Sequence, residues 1–139
     1  MARRILLDTG VLVATLNSKD PDHQEVRDCL AGLRARFVTV EGVLVEASHL
    51  LRKLPRACSL VIDAALRLEC TLHPATPDRL ARASEIIAVH RALRLDLVDA
   101  LLVVAAEELS IHEILTLDRR DFSAIQLRDG RRFELLPGR

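Results

Sequence analysis

The 139-residue sequence has no tryptophan, no tyrosine and only three phenylalanines, Phe37, Phe122 and Phe133. An extended platform for stacking nucleic-acid bases needs more aromatic rings than that, so such a binding mode is not expected. Three cysteines, Cys29, Cys58 and Cys70, stand alone without C-x-x-C spacing. They read as small buried apolar residues in a reducing compartment, neither a zinc nor a redox pair. The histidines His23, His49, His73, His90 and His112 are dispersed and form no H-x-x-x-H pair, which also argues against zinc. The longest apolar run, residues 100–106, is far short of the ~20 residues that cross a bilayer. The opening MARRILLDTG places only three apolar residues between Arg4 and Asp8, too few for a secretory signal. A soluble, cytoplasmic chain with no membrane contact is expected. Charge of one sign is missing too: 20 basic residues balance 20 acidic ones, so net charge gives no attraction to a polyanion. Lysine occurs only at Lys19 and Lys53. The arginines that replace it suit bidentate phosphate contacts, or equally reflect genome composition and solvated helix faces.

Half of the residues are apolar, and the length suits one compact domain spanning 1–139. A short apolar run at 4–7 ends at Asp8 and passes through Thr9-Gly10 into a helical stretch, a strand–turn–helix pattern. Helices are expected at 21–33 and at 41–54, the latter with Val43, Ala47, Leu50 and Leu54 on its apolar face and Pro55 as its stop. A third is expected at 57–68. Thr76, Pro77 and Asp78 mark the start of a helix running to 93, and Asp96 caps another that runs to 109. Strands are expected at 37–40, 69–73, 113–117 and 133–136. The alternation predicts an α/β fold, a short parallel sheet flanked by helices in three layers, with ligands at the C-terminal strand ends.

Four carboxylates stand out against this frame. Asp99 sits in a stretch apolar almost all round, where an ionised group is costly unless paired, hydrogen-bonded or metal-bound. It also lies in a first turn, where it favours the helix dipole. Asp8 and Asp118 each follow a short apolar strand at the sheet end where α/β proteins build sites, and each could instead stabilise its own turn. Glu46 flanks the apolar face of its helix; partly buried surface glutamates are common there. Oxygen donors without cysteine or paired histidine favour magnesium or manganese over zinc.

Three stretches, ILLDTGVLVATL, VLVEASHLL and RALRLDLVDALLVVAAEELSIHEILTLDRRDF, together resemble the PIN-domain family, in particular its VapC-type toxin ribonucleases. The resemblance covers nearly the whole chain. It implies that Asp8, Glu46, Asp99 and Asp118 are the catalytic acids of an Mg2+- or Mn2+-dependent endoribonuclease leaving 5′-phosphate and 3′-hydroxyl ends. Asp8 and Asp99 would hold the metal directly, with Glu46 and Asp118 acting through water or a second ion, supported by Thr9 and Thr116. It also implies a homodimer restrained by a small VapB-like antitoxin. Gly10 stands where the family commonly has serine, and Asp96 where it often has a neutral residue. Asp121 competes with Asp118 as the fourth acid. Arg119 and Arg120 are candidates for holding RNA phosphates.

Two other readings are weighed. Leu6-Leu7-Asp8-Thr9-Gly10 matches the D-T-G of aspartic proteases, but that chemistry needs two such loops on a β-rich scaffold. A PIN-like RNA- or protein-binding module without cleavage would lack one of the acids, and all four are present.

Overall fold

A computed structural model describes residues 2–138. The elements run β1 (Arg4–Leu7), α1 (Thr9–Leu16), α2 (His23–Gly32), β2 (Arg36–Thr39), α3 (Glu41–Leu50), α4 (Ala57–Arg67), β3 (Thr71–Leu72), α5 (Pro77–Val89), a 3-10 turn (Arg91–Leu93), α6 (Leu97–Leu109), β4 (Glu113–Leu115), α7 (Arg119–Ala124) and β5 (Glu134–Leu136). Among the described residues the strands form one five-stranded sheet in the order β3-β2-β1-β4-β5, with every pairing parallel. Ile5, Leu6 and Leu7 of β1 are fully buried, as are Ile114 and Leu115 of β4. Continuous apolar runs of this kind mark strands covered on both faces.

The chain moves one way across the sheet from β1 to β3, then returns past β1 to β4 and β5. Parallel crossovers are right-handed, so α1–α4 cover one face and α5–α7 the other. Packing agrees: α1 lies against α2, α3 and α4, while α5 lies against α6. The order therefore reverses between β1 and β4, the crevice where open α/β sheets bind ligands.

The α/β architecture is as expected, but several local expectations are corrected. The helix expected at 41–54 ends at Leu50, whose side chain is 56% exposed, while Leu51 rather than Leu50 is buried. Val43, Ala47 and Leu51 recur every four residues on the buried face, which turns Leu50 outward, and the chain continues as a turn toward Pro55. The strand expected at 113–117 stops at Leu115, and α7, not expected, begins after Asp118. The helix expected to 93 ends as α-helix at Val89. Cys58 is exposed, and Cys29 and Cys70 are only half-buried, because a cysteine's size lets it sit on the flank of a helix or strand without cost. In α6 the whole turn sequence 100–106 is buried. Its first turn is not: Leu97 is exposed and Asp99 half-buried, which places the carboxylate at a mouth rather than in the interior.

Candidate active site

Asp8 follows β1 and is the N-cap of α1, so strand exit and helix start fix it together. Its backbone N–H donates to the Leu115 carbonyl at 3.0 Å, extending the β1–β4 pairing past the strand. One carboxylate oxygen, Oδ1, accepts from the Thr9 N–H at 2.8 Å, and Oδ2 accepts from the Thr116 hydroxyl at 2.7 Å. Thr116 is fully buried at the β4 exit, and its Oγ1 in turn accepts the Asp118 N–H at 2.9 Å. A single threonine thus ties the two candidate acids of adjacent strands. Behind them the buried Thr39 hydroxyl of β2 donates to the Leu7 carbonyl at 2.7 Å, fixing the backbone just before Asp8.

Asp99 occupies the third position of α6. The Asp96 carboxylate accepts the Asp99 N–H at 2.8 Å, and the Asp99 carboxylate accepts the Asp96 N–H at 3.1 Å, a reciprocal capping box. Asp99 therefore belongs to a cap, as one sequence reading has it, and it also feels the charge of Asp8. Asp118 does not end β4 directly; it is the N-cap of α7, accepting the Asp121 N–H at 3.2 Å. Asp121 therefore sits in the first turn behind Asp118. Glu46 is half-buried on α3.

Electrostatics show which acids share a neighbourhood. Burial lifts the Asp8 carboxyl to about 6, and the charges of Asp118 and Glu46 push the same way, against the Thr116 and Thr9 hydrogen bonds. Burial likewise lifts Asp99 to about 7, with the Asp96 and Asp8 charges adding to it. Asp121 is raised by burial and by Asp118. Asp8 is thus the hub that feels Asp99, Asp118 and Glu46, although the four come from α6, α7, α3 and the β1 exit.

The donor set is oxygen only, mutually repelling and partly desolvated, which suits a hard divalent cation. Thr9 Oγ1 adds a buried oxygen with no partner among the described residues. Among the described residues no group of three or more His, Cys, Asp and Glu side chains is placed to hold a metal ion by itself. Arg119 donates from its guanidinium to the Pro137 carbonyl at 2.7 Å, so it braces the β5 exit, whereas Arg120 is exposed.

Thr39 and the return bond from the Asp99 carboxylate to the Asp96 N–H matter here and are not singled out in the sequence, although Asp96 is read there as the cap. A threonine closing an apolar strand was the only signal for the first. For the second, the D-x-x-D spacing was visible but its reciprocity was not.

A model of the PIN domain family matches residues 5–126. Ribonuclease VapC26 of Mycobacterium tuberculosis is 29% identical over 140 residues, covering 96% of this chain and 100% of that protein. Among solved structures, M. tuberculosis VapC20, described as a sarcin-ricin loop cleaving toxin, superposes with a TM-score of 0.73 at 22% identity, over 84% of this chain and 92% of that one. VapBC2 from Rickettsia felis, bound to a promoter DNA fragment, gives 0.62 at 14% identity, over 95% and 98%. A toxin–antitoxin complex from Klebsiella pneumoniae gives 0.61 at 20% identity, over 87% and 92%. These likenesses share the fold.

Proposed function

The chain belongs to the PIN domain family, and from that premise we propose that it is a metal-dependent endoribonuclease, the toxin of a VapBC-type toxin–antitoxin pair. The observation that carries this reading is the buried Asp8 carboxylate, held by Thr9 and Thr116 and surrounded by the charges of Asp99, Asp118 and Glu46. The likeness to Ribonuclease VapC26 over nearly the whole chain supports it. We read 1–139 as one such domain.

In the proposed mechanism Asp8 and Asp99 would hold one Mg2+ or Mn2+ directly, and Glu46 and Asp118 would complete the pocket through water or a second ion. When bound, the ion supplies an activated water and stabilises charge on the phosphate and leaving oxygen. Thr116 and the Thr9 N–H hold both Asp8 oxygens in one orientation, so their lone pairs face the pocket without reorganisation. The Asp96 N–H does the same for one Asp99 oxygen. Arg120 is the better placed of the two arginines to meet a substrate phosphate, since Arg119 already donates to Pro137. With few aromatic rings, RNA shape and backbone path would set selectivity.

Side chains on α3 and α4 support protein partners. Val45, Leu50, Ile62 and Leu66 are each more than half exposed, an apolar surface that suits cover by an antitoxin or a second copy. Among the described residues no helix is long and apolar enough to cross a membrane; the cytoplasm is the proposed location.

The test is cleavage of an RNA panel by wild-type and Asp99→Asn protein with Mg2+, Mn2+ or chelator. Asparagine can still accept the Asp96 N–H, so the cap and fold should persist. Cleavage by wild type alone, abolished by chelator, is expected. If neither protein cuts any RNA and neither binds Mn2+ by calorimetry, the chain is a non-cutting module instead.

A further inference from the structure

The opposite end of the sheet carries a second concentration of chemistry. A cavity of about 660 Å³ opens at the N-terminal strand ends, lined by Arg3, Arg4, Arg36, Arg131, Glu113 and Glu134 among others. Four arginines there face two glutamates in a chain whose overall charge is zero. His112, also in the lining, is engaged with Asp129 at 2.7 Å. Arg3 is committed to Glu113 through two hydrogen bonds, which neutralises one glutamate. Arg4 uses one guanidinium N–H on the Leu109 carbonyl, leaving its other donors.

Arg36 has no side-chain hydrogen bond or ion pair among the described residues, and Arg131 donates a hydrogen bond only from its backbone, to Asp129, whose carboxylate also feels the Arg131 charge. Both are exposed. Arg4 and Arg36 are also direct register partners on neighbouring strands. Like charges held side by side repel, and an anion bound between them relieves that repulsion. Stability alone therefore gives no reason for this pairing at the rim of a pocket of ligand size.

We propose that this arginine-lined cavity at the N-terminal rim of the sheet is a phosphate-binding site, distinct from the acidic pocket. Guanidinium forks match phosphate oxygens bidentately, and their spread over β1, β2 and the loop before β5 suits more than one phosphate group. Four residue steps along β1 separate Arg4 from Asp8, about 13 Å at the rise of a strand, so one phosphate cannot occupy both sites. The phosphates would come either from an RNA strand or from a free polyphosphate. The site does not depend on whether the chain cleaves RNA.

The experiment measures binding of a fluorescent ten-nucleotide single-stranded RNA, and of ATP and pyrophosphate by calorimetry, to the full chain in chelator. Arg36→Ala/Arg131→Ala is compared with a control pair of exposed arginines elsewhere, Arg27→Ala/Arg91→Ala, all with melting curves to verify folding. The rim variant is expected to bind at least tenfold more weakly while the control pair binds as wild type. For RNA, the slope of log affinity against log salt should fall by about 1.4, at about 0.7 per lost phosphate contact on a single strand. Loss for RNA alone identifies a strand as the source; loss for ATP and pyrophosphate as well identifies free polyphosphate. The proposal is overturned if no probe binds wild type below roughly 1 mM, if the rim variant binds as wild type, or if the control pair loses as much.

Discussion

The Thr116 hydroxyl donates to Asp8 Oδ2 at 2.7 Å while accepting the Asp118 N–H at 2.9 Å, so one buried side chain holds the exits of β1 and β4 in a fixed relation. Thr116→Val keeps the shape and removes both bonds. Leaving buried polar groups unpaired should cost about 1–3 kcal/mol of stability. The Thr116 bond lowers the Asp8 pKa, so its loss should move the acid limb of the pH–rate profile for RNA cleavage upward. Thr116→Ser should restore the limb. An unmoved limb in Thr116→Val would show that Asp8 does not set it.

Stability of the metal-free protein should depend on pH through Asp8 and Asp99. Both carboxyls rise from 3.8, to about 6 and about 7, so between those values the folded chain binds more protons than the unfolded one. Their contribution is fully present below pH 3.8 and is lost as pH rises through the folded values. Asp8→Asn should therefore gain stability relative to wild type as pH goes from 5 to 8 in chelator, by about 1.4 kcal/mol, since about one unit of the shift lies above pH 5. Melting curves of both proteins across that range check the sign, and a gain that shrank toward pH 8 would contradict it. Adding Mn2+ should stabilise wild type more at pH 8 than at pH 5, because its ligands must be deprotonated.

The capping box gives Asp96 a role that is separable from charge. Asp96→Ala removes the acceptor for the Asp99 N–H and should cost about 1 kcal/mol in stability. The Asp99 carboxylate keeps the Asp96 N–H, but the backbone turn that carries it loses half of the reciprocal box, so kcat for RNA cleavage should fall more than KM changes. Asp96→Asn, which still accepts, should recover most of both. Equal activity in all three proteins would mean that the cap does not orient Asp99.

Gly42 packs against Val98, next to Asp99 in the first turn of α6. A Cβ built there would lie 2.8 Å from Val98 Cγ2. Gly42→Ala should gain about 1 kcal/mol in helix propensity yet lose cleavage activity, since Val98 must yield and Asp99 follows it. Val98→Ala in the same chain should restore activity. A double-mutant cycle measures this, with coupling of at least about 0.5 kcal/mol expected for residues in contact.

Much of this molecule is written locally. Apolar runs closed by Asp8 and near Asp118, the Thr76-Pro77-Asp78 start of α5 and the Asp96 cap of α6 all follow from short-range chemistry, and each forms where that chemistry puts it. The α/β class and the identity of four candidate acids were legible for the same reason. The early end of α3, the outward Leu50, the short α7 and the exposed Cys58 were not, because helix ends and facing depend on what packs against them.

The sequence by itself determined which carboxylates lie at element starts and strand exits, since capping and strand termination act over three or four residues. Only the tertiary structure decided that they meet. Placing β4 beside β1 sets Thr116 against Asp8 across 108 positions of chain, and packing brings Asp99 into the field of Asp8. It likewise decided that Arg4 and Arg36 stand side by side at the other rim. Hydrogen-bond register between distant strands is a property of the folded sheet, and no local preference encodes it.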